Sequence, residues 1–196
     1  ALEKGLYQDA EKRQQAAGNI YQKTVEIEDY LTTMNELSKD DFLELKVDMQ
    51  EVYLSEVLET LRRYYKDKLS QLHIGFNMGE YQNFLVKADT ERLLEVLQNI
   101  IENAIKYGSG KKIGISILRE EDCVLITVEN TGEVLPVEEL PHLFDSFYRG
   151  SNAGNQEGSG LGLYICRKLM HKMNGDVFLK QEENLFSVTV VVGMAN

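Results

Sequence analysis

Two asparagines stand four residues apart, Asn99 and Asn103, in an otherwise apolar run that reads Asn-Ile-Ile-Glu-Asn-Ala-Ile-Lys-Tyr. At helical spacing their side chains stack on one face, and Lys106 joins that face at the next turn. Leu93, Leu97, Ile100, Ile101 and Ala104 then fill the opposite side. Asparagine is a poor helix former because its side chain competes for backbone hydrogen bonds, so two of them in mid-helix ask for a reason. One reading is a pair of core carboxamides satisfied by nearby backbone. The other is a face of oxygen ligands and one cation, suited to a metal-bound polyphosphate.

A second stretch, Gly158-Ser159-Gly160-Leu161-Gly162-Leu163, alternates glycines at the entry to a helix. Glycine lets backbone approach a ligand closely, and the free amides of a first helical turn attract anions. Such turns are also common as plain punctuation. This one lacks the Gly-Lys-Ser/Thr ending of the P-loop and does not follow the first strand of a strand–helix–strand unit, so neither familiar phosphate loop applies.

The elements that must position these residues are legible in outline. Ile20, Thr24, Ile27, Leu31 and Met34 form a heptad seam, which predicts a long helix over 9–37 that needs partners, either as a hairpin or dimer stalk or as a single edge helix packed on the globular domain. Gly5 marks a turn before it. Leu43, Leu45 and Val47 alternate like a strand, and a helix follows over 53–71 with Leu54, Leu58, Leu61, Tyr65, Leu69 and Leu72 on its apolar face. Residues 73–78 and 84–87 read as short strands around a turn at Gly79. Asp89 or Thr90 caps the asparagine helix, which stops at the flexible Gly108-Ser109-Gly110. Strands carrying Ile113, Ile115, Ile117 and Val124, Ile126, Val128 form a hairpin through an exposed acidic link. Asn130-Thr131-Gly132 reads as a turn, and residues 129–162 show little regular pattern. A helix over 161–173 ends at Asn174-Gly175, and strands over 177–180 and 186–192 close the chain. This order implies an α+β fold, a two-layer sandwich with helices on one face of a mixed sheet.

Composition excludes several classes. A net charge of −11 leaves no basic stripe for nucleic acid or an anionic membrane. Cys123 and Cys166 follow no ligand spacing, and no apolar run of transmembrane length is present.

Together, the Asn-x-x-x-Asn helix ending Lys-Tyr, the Asn-Thr-Gly segment, Leu143-Phe144-Asp145-Ser146-Phe147-Tyr148-Arg149 and the glycine turn occur in one order. That order and spacing resemble the ATP-binding catalytic domain of bacterial sensor histidine kinases over residues 43–192. The heptad helix is similar to the second helix of that family's dimerisation and phosphoacceptor hairpin, which divides the chain into a hairpin remnant, 1–41, and a catalytic domain, 42–196. The resemblance implies ATP and Mg²⁺ as cofactors, with Asn103 the metal ligand and Asn99 assisting metal and phosphates. It implies that Lys106 pairs with phosphates and that Tyr107 lines the pocket. Gly158, Gly160 and Gly162, with Ser159, Leu161 and Leu163 between and after them, would shape the anchor of a lid. Phe144 and Phe147 would pack its base. Arg149 would stabilise charge on the transferring phosphoryl group, or be a plain surface arginine. Glu102 would orient an acceptor histidine, although its helix position points partly away from Asn103. Implied partners are a response-regulator receiver domain and a second copy through the stalk, in a parent anchored to the cell membrane by segments not in this sequence.

The sequence departs from the family where Asp-x-Gly-x-Gly is usual. Asn130-Thr131-Gly132-Glu133-Val134 stands there, so Asn130 is expected to accept from adenine without the strength of a charged partner, with Gly132 beside it. His73, His142 and His171 all lack the acceptor signature, which predicts that the acceptor histidine precedes Ala1. Two other readings are a nucleotide-binding module without competent catalysis, and an ATPase of the gyrase, heat-shock chaperone or mismatch-repair kind.

Overall fold

The computed structural model describes residues 14, 17, 18, 24, 46–154, 156 and 158–195. The chain divides into two compact units, Ala1–Leu45 and Lys46–Asn196. In the first, Gln14, Ala17, Gly18 and Thr24 are helical. The rest of the heptad seam, the turn at Gly5, and Leu43 and Leu45 lie outside the described residues. Lys46 and Val47 carry no regular structure, so the expected strand does not reach them.

The second unit runs β1 (Gln50–Tyr53), α1 (Leu54–Gln71), β2 (Gly75–Met78), β3 (Leu85–Ala88), α2 (Thr90–Tyr107), β4 (Gly108–Glu120), β5 (Cys123–Gly132), α3 (Gly162–Lys172), β6 (Asp176–Glu182) and β7 (Leu185–Gly193). Five strands form one sheet in the order β2-β4-β5-β7-β6. The β2–β4 pair is parallel and the others antiparallel, which makes the sheet mixed, as expected. Strand alternation explains which face the helices cover. Val124, Ile126 and Val128 on β5 lie opposite Val192, Val190 and Val188 on β7, and all but Val188 are at most 1% exposed. The other face carries Thr127 and Thr189, whose hydroxyls bond at 2.9 Å.

Helix α2 is fixed in rotation by its apolar side. Leu93, Val96, Leu97, Ile100 and Ile101 are at most 1% exposed, and each such side chain contributes about 1.5–3 kcal/mol. The asparagine face is what that packing leaves uncovered. Its start is set by Asp89, whose carboxylate accepts from the Arg92 amide at 3.1 Å and, through its second oxygen, from the Asp48 amide at 2.8 Å. Burial alone would raise the Asp89 carboxyl, but the backbone amides of Asp48, Arg92 and Glu91 outweigh it and hold the group below its usual range.

The two short strands expected around Gly79 are both present, in different sheets: β2 joins β4, and β3 joins β1 in a separate two-stranded sheet. Other local expectations are corrected. Gly108 is not a loose stop, because it opens β4 opposite Gly132 before a bulge. Asn130, Thr131 and Gly132 extend β5 rather than turn, paired with Ile113 on one side and with Phe186 and Leu185 on the other. Leu72 is 49% exposed because α1 has already ended at its C-cap. The segment after β5 contains two 3₁₀ turns, Leu140–Phe144 and Ser151–Ala153. Asn174 is left-handed at φ 57°, as the end of α3 required. Among the described residues no helix is long and apolar enough to cross a membrane.

Candidate functional site

The two stretches singled out by composition meet in space. A methyl on Gly162, in the first turn of α3, would lie 3.6 Å from Asn99 Oδ1 and 3.8 Å from Asn103 Nδ2. One on Gly158 would lie 2.8 Å from Lys106 Nζ and 3.6 Å from the Tyr107 hydroxyl. The carboxamide-and-ammonium face of α2 therefore looks directly at the glycine turn. A side chain at either glycine would occupy the space between that face and the turn, closely at Gly158 and in ordinary contact at Gly162.

Asn99 answers to both readings offered by the sequence. Its Nδ2 donates to the Glu95 carbonyl at 3.2 Å, so nearby backbone satisfies the donor half, while Oδ1 is turned to Gly162. Lys106 Nζ stands 5.4 Å from the Tyr107 ring centroid, a cation–π distance that keeps the ammonium beside the ring. Asn130 continues the inward series of Val124, Ile126 and Val128, so it emerges on the helix-covered side at the end of β5. Its Nδ2 donates to the Thr131 carbonyl at 3.3 Å and lies 3.2 Å from where a Gly108 methyl would stand. Glu129 faces the other way, with Oε1 3.5 Å from Ser187 Oγ. Gly132 fits tightly, since a methyl would stand 3.0 Å from the Tyr107 carbonyl oxygen.

The connecting segment behaves unevenly. Phe144 is 4% exposed, and the Arg167 guanidinium lies 3.8 Å over its ring. Phe147 takes a left-handed φ of 64° and stays 47% exposed, so its ring is not packed as that of Phe144 is. Its backbone is what matters: a methyl on Gly160, itself at φ +74°, would come 2.7 Å from both the Phe147 carbonyl carbon and the Tyr148 oxygen. Leu161 is buried, and Ser159 and Leu163 are half-buried. Arg149 is exposed, and its guanidinium donates to the Gln156 carbonyl.

Glu102 is engaged on another side of α2. Its Oε1 accepts from the Tyr65 hydroxyl at 2.7 Å and from Lys68 Nζ at 2.6 Å, both on α1. Burial and then the Glu102 carboxylate hold the Tyr65 phenol well above its usual range. Behind the site, burial pushes the Cys166 thiol up to about 12, and its Sγ points at the Val96 carbonyl, 3.6 Å away. Sequence reasoning missed Arg167, Glu139 and Gln181. Only Gln181 left a signal, as a polar residue at the inward position of β6 after Val177 and Leu179.

Among the described residues no cluster of His, Cys, Asp or Glu suits a metal. A cation at the asparagine face would be held by carboxamide oxygens together with a ligand's own oxygens. That hard-oxygen set fits Mg²⁺, which binds through few protein ligands and keeps waters and phosphates.

Residues 88–194 match the family model described as histidine kinase-, DNA gyrase B-, and HSP90-like ATPase. The chain belongs to this family. As expected from its motifs, it is the ATP-binding catalytic domain of the histidine-kinase type. It is 31% identical over 186 residues to the adaptive-response sensory kinase SasA of Crocosphaera subtropica, an alignment covering 91% of this chain and 49% of that protein. The nucleotide-free catalytic domain of the histidine kinase ThkA superposes with a TM-score of 0.67 at 26% identity, covering 75% of this chain and 96% of that one. ThkA in complex with the response regulator TrrA matches with a TM-score of 0.76 at 24% identity, covering 98% of this chain and 54% of that one. The chain spans about half the length of the curated relatives it matches.

Proposed function

We propose that the chain binds Mg²⁺-ATP and transfers the γ-phosphoryl group to a histidine on a dimerisation hairpin, for relay to a response-regulator aspartate. The observation that carries this reading is the meeting of the Asn99–Asn103 carboxamides with Gly162 and of Lys106 with Gly158. Two carboxamides, one of them presenting its oxygen, together with a cation and bare backbone face one space, and these are the groups a metal-bound polyphosphate needs. Asn103 and Asn99 hold the metal, whose contribution is to neutralise phosphate charge. Lys106 pairs with phosphate oxygens, backbone at Gly158 and Gly160 approaches them, and Tyr107, Asn130 and Gly132 border the base. The chain's own work is positioning and electrostatics, which suits phosphoryl transfer. Arg149 is a candidate for charge stabilisation once released from the Gln156 carbonyl. Glu102, held by Tyr65 and Lys68, acts on the nucleotide side only through the helix that carries it.

None of the chain's histidines is placed as an acceptor. His142 pairs with Asp145 at 2.8 Å, His171 with Asp176 at 3.1 Å, and His73 sits in a left-handed turn at φ 56°. The acceptor is a histidine outside this sequence, on a hairpin whose second helix is the heptad stalk at 1–41, followed by the catalytic domain at 42–196. The same reading makes the parent a homodimer anchored in the membrane, with this domain on the cytoplasmic side and a receiver domain as its downstream partner. ThkA's capture with a response regulator supports that partner class.

The test mixes the chain with a separate acceptor hairpin and labelled ATP. Label on histidine is the expected outcome, and release of free phosphate without it refutes the kinase reading. For the site, Asn103→Ala is expected to abolish Mg²⁺-dependent ATP binding in calorimetry, and unchanged binding overturns the assignment. Asn130, uncharged where the family carries aspartate, favours a second reading as a nucleotide-binding module without transfer. Bound but untransferred ATP in the same experiment identifies it.

A further inference from the structure

The segment between β5 and α3 is tied down by two side chains that no part of the nucleotide site uses. Gln181, on β6, grips the backbone of Leu135 at both ends: its Oε1 accepts from the Leu135 amide at 2.9 Å and its Nε2 donates to the Leu135 carbonyl at 3.0 Å. The carboxamide thus makes the two-point pairing of a neighbouring strand, with Leu135 itself 3% exposed. Glu139 makes the second tie. Its Oε2 accepts from the Ser151 amide at 2.7 Å, twelve positions along the chain, and joins the outgoing limb to the returning one.

These ties lead to the site by unbroken contact. Gly150 is wedged between them, since a methyl there would stand 3.2 Å from Leu135 Cδ2 and 3.3 Å from Glu139 Oε2. One and two residues before Gly150, Arg149 and Tyr148 carry the chain back, and the Phe147 and Tyr148 backbone lies against Gly160. Gly160 is two residues from Gly162, which faces the two asparagines. The backbone is tightly packed at Gly150 and Gly160, so a displacement of Leu135 or Ser151 is passed on to the turn that faces Lys106 and the carboxamides. Packed, closely spaced backbone transmits strain in this way rather than absorbing it.

We propose that Gln181 and Glu139 are positioning residues of the nucleotide site. They hold the stem of the connecting segment so that the glycine turn keeps its distance from Asn99, Asn103 and Lys106. The inference rests on the reading of that face as the metal and phosphate side. The base side, at Asn130 and Gly132, belongs to β5 and is not reached through these ties. Their loss therefore weakens the nucleotide selectively at its distal phosphates.

The test is calorimetry on the full chain with Mg²⁺-AMP-PNP, a non-hydrolysable adenosine triphosphate analogue, and with Mg²⁺-ADP. Gln181→Met keeps the length and removes both hydrogen bonds, and Glu139→Ala removes the latch. Each is expected to weaken the triphosphate by about fivefold to tenfold and the diphosphate by no more than about twofold, the scale of one or two lost hydrogen bonds. Glu139→Gln keeps an acceptor oxygen and is expected to restore triphosphate affinity. A purely structural role lowers the folded fraction and cuts both nucleotides equally, and that result, or unchanged affinity in Glu139→Ala, overturns the proposal. Should Gln181→Met fail to fold, the two variants at the half-buried Glu139 decide alone. If the unsubstituted chain binds neither nucleotide, the nucleotide reading fails and this inference with it, whereas binding by the unsubstituted chain with undiminished variants refutes the inference alone.

Discussion

Gly160 and Gly162 are two residues apart and should fail in opposite ways when given a methyl group. At Gly160 the backbone is left-handed, φ +74°, which costs an L-residue about 1–2 kcal/mol. The added carbon would also meet the Phe147 carbonyl carbon and Tyr148 oxygen at 2.7 Å and the Phe147 oxygen at 2.9 Å. These are backbone atoms and cannot swing aside as a side chain would. Backbone displacement brings the total for Gly160→Ala to about 2–4 kcal/mol. In a chain of this size that lowers the melting temperature by about 4–16 °C. At Gly162 the neighbours are Asn99 Oδ1 at 3.6 Å and Asn103 Nδ2 at 3.8 Å, which is ordinary contact. The residue is helical, so alanine there stabilises the fold by up to about 1 kcal/mol. Yet the methyl occupies the space between the two carboxamides, and loss of one ligand interaction of about 1.4 kcal/mol weakens Mg²⁺-ATP about tenfold. Scanning calorimetry and nucleotide titration on both variants separate the effects. Equal loss of stability in the two, or full affinity in Gly162→Ala, refutes the reasoning.

The N-cap of α2 gives a pH prediction. Because the Asp89 carboxyl is held below its usual range, its stabilisation is complete above the unfolded value of about 3.9 and is lost as pH falls through the lower folded value. Urea unfolding should therefore show a stability gap between the unsubstituted chain and Asp89→Ala of about 1–2 kcal/mol near neutral pH that closes only in acid; a gap that grows on acidification contradicts the sign. Thiol titration with a disulfide reagent should label Cys123, which is partly exposed, and spare Cys166, fully buried with its thiol pushed up to about 12. Both should react in urea, and two fast thiols in the native protein would mean that α3 is not packed on α2 as described. Asn130→Asp restores a charged acceptor and should tighten ATP by roughly threefold to tenfold, a gain of about 1 kcal/mol. Calorimetry that shows no gain argues that Asn130 does not meet the base.

The fold was legible where burial alone decides structure. Strict alternation in β5 and β7 and the apolar stripe of α2 each have one solution, since the wrong register would expose every valine or leucine. The asparagine pair and the glycine turn were legible for the complementary reason: each breaks its own element's preference and so signals a separate demand. What the pattern concealed was pairing partners. The two short strands beside Gly79 could be read from the pattern, but not that β2 and β3 part to different sheets, because a short strand's register is set by neighbours distant in sequence. Asn130-Thr131-Gly132 has turn composition, and Phe186 and Leu185 opposite it pull it into the sheet. The ties at Gln181 and Glu139 lie 46 and 12 residues from their partners, a separation at which periodicity carries no information.

Glu102 and Asn103 show why adjacency along the chain is a poor guide to shared duty. One helical step turns the side chain by about 100°, enough to hand Glu102 to α1 and leave Asn103 facing α3. Helix α2 is thereby divided three ways, with an apolar side against the core, a carboxylate against Tyr65 and Lys68, and carboxamides against glycine backbone. The contacts with α3 fix the last of these. Cys166 meets Val96, and one turn earlier on α3 Gly162 meets Asn99 and Asn103, so the two helices pass in opposite directions. A small residue at 166 lets them approach, and a bare one at 162 keeps that approach from closing the gap. Close packing behind and open space in front are thus set by two residues on one helix, four apart. The site requires both, because asparagines held at a greater distance, or covered by a side chain, would be ordinary surface.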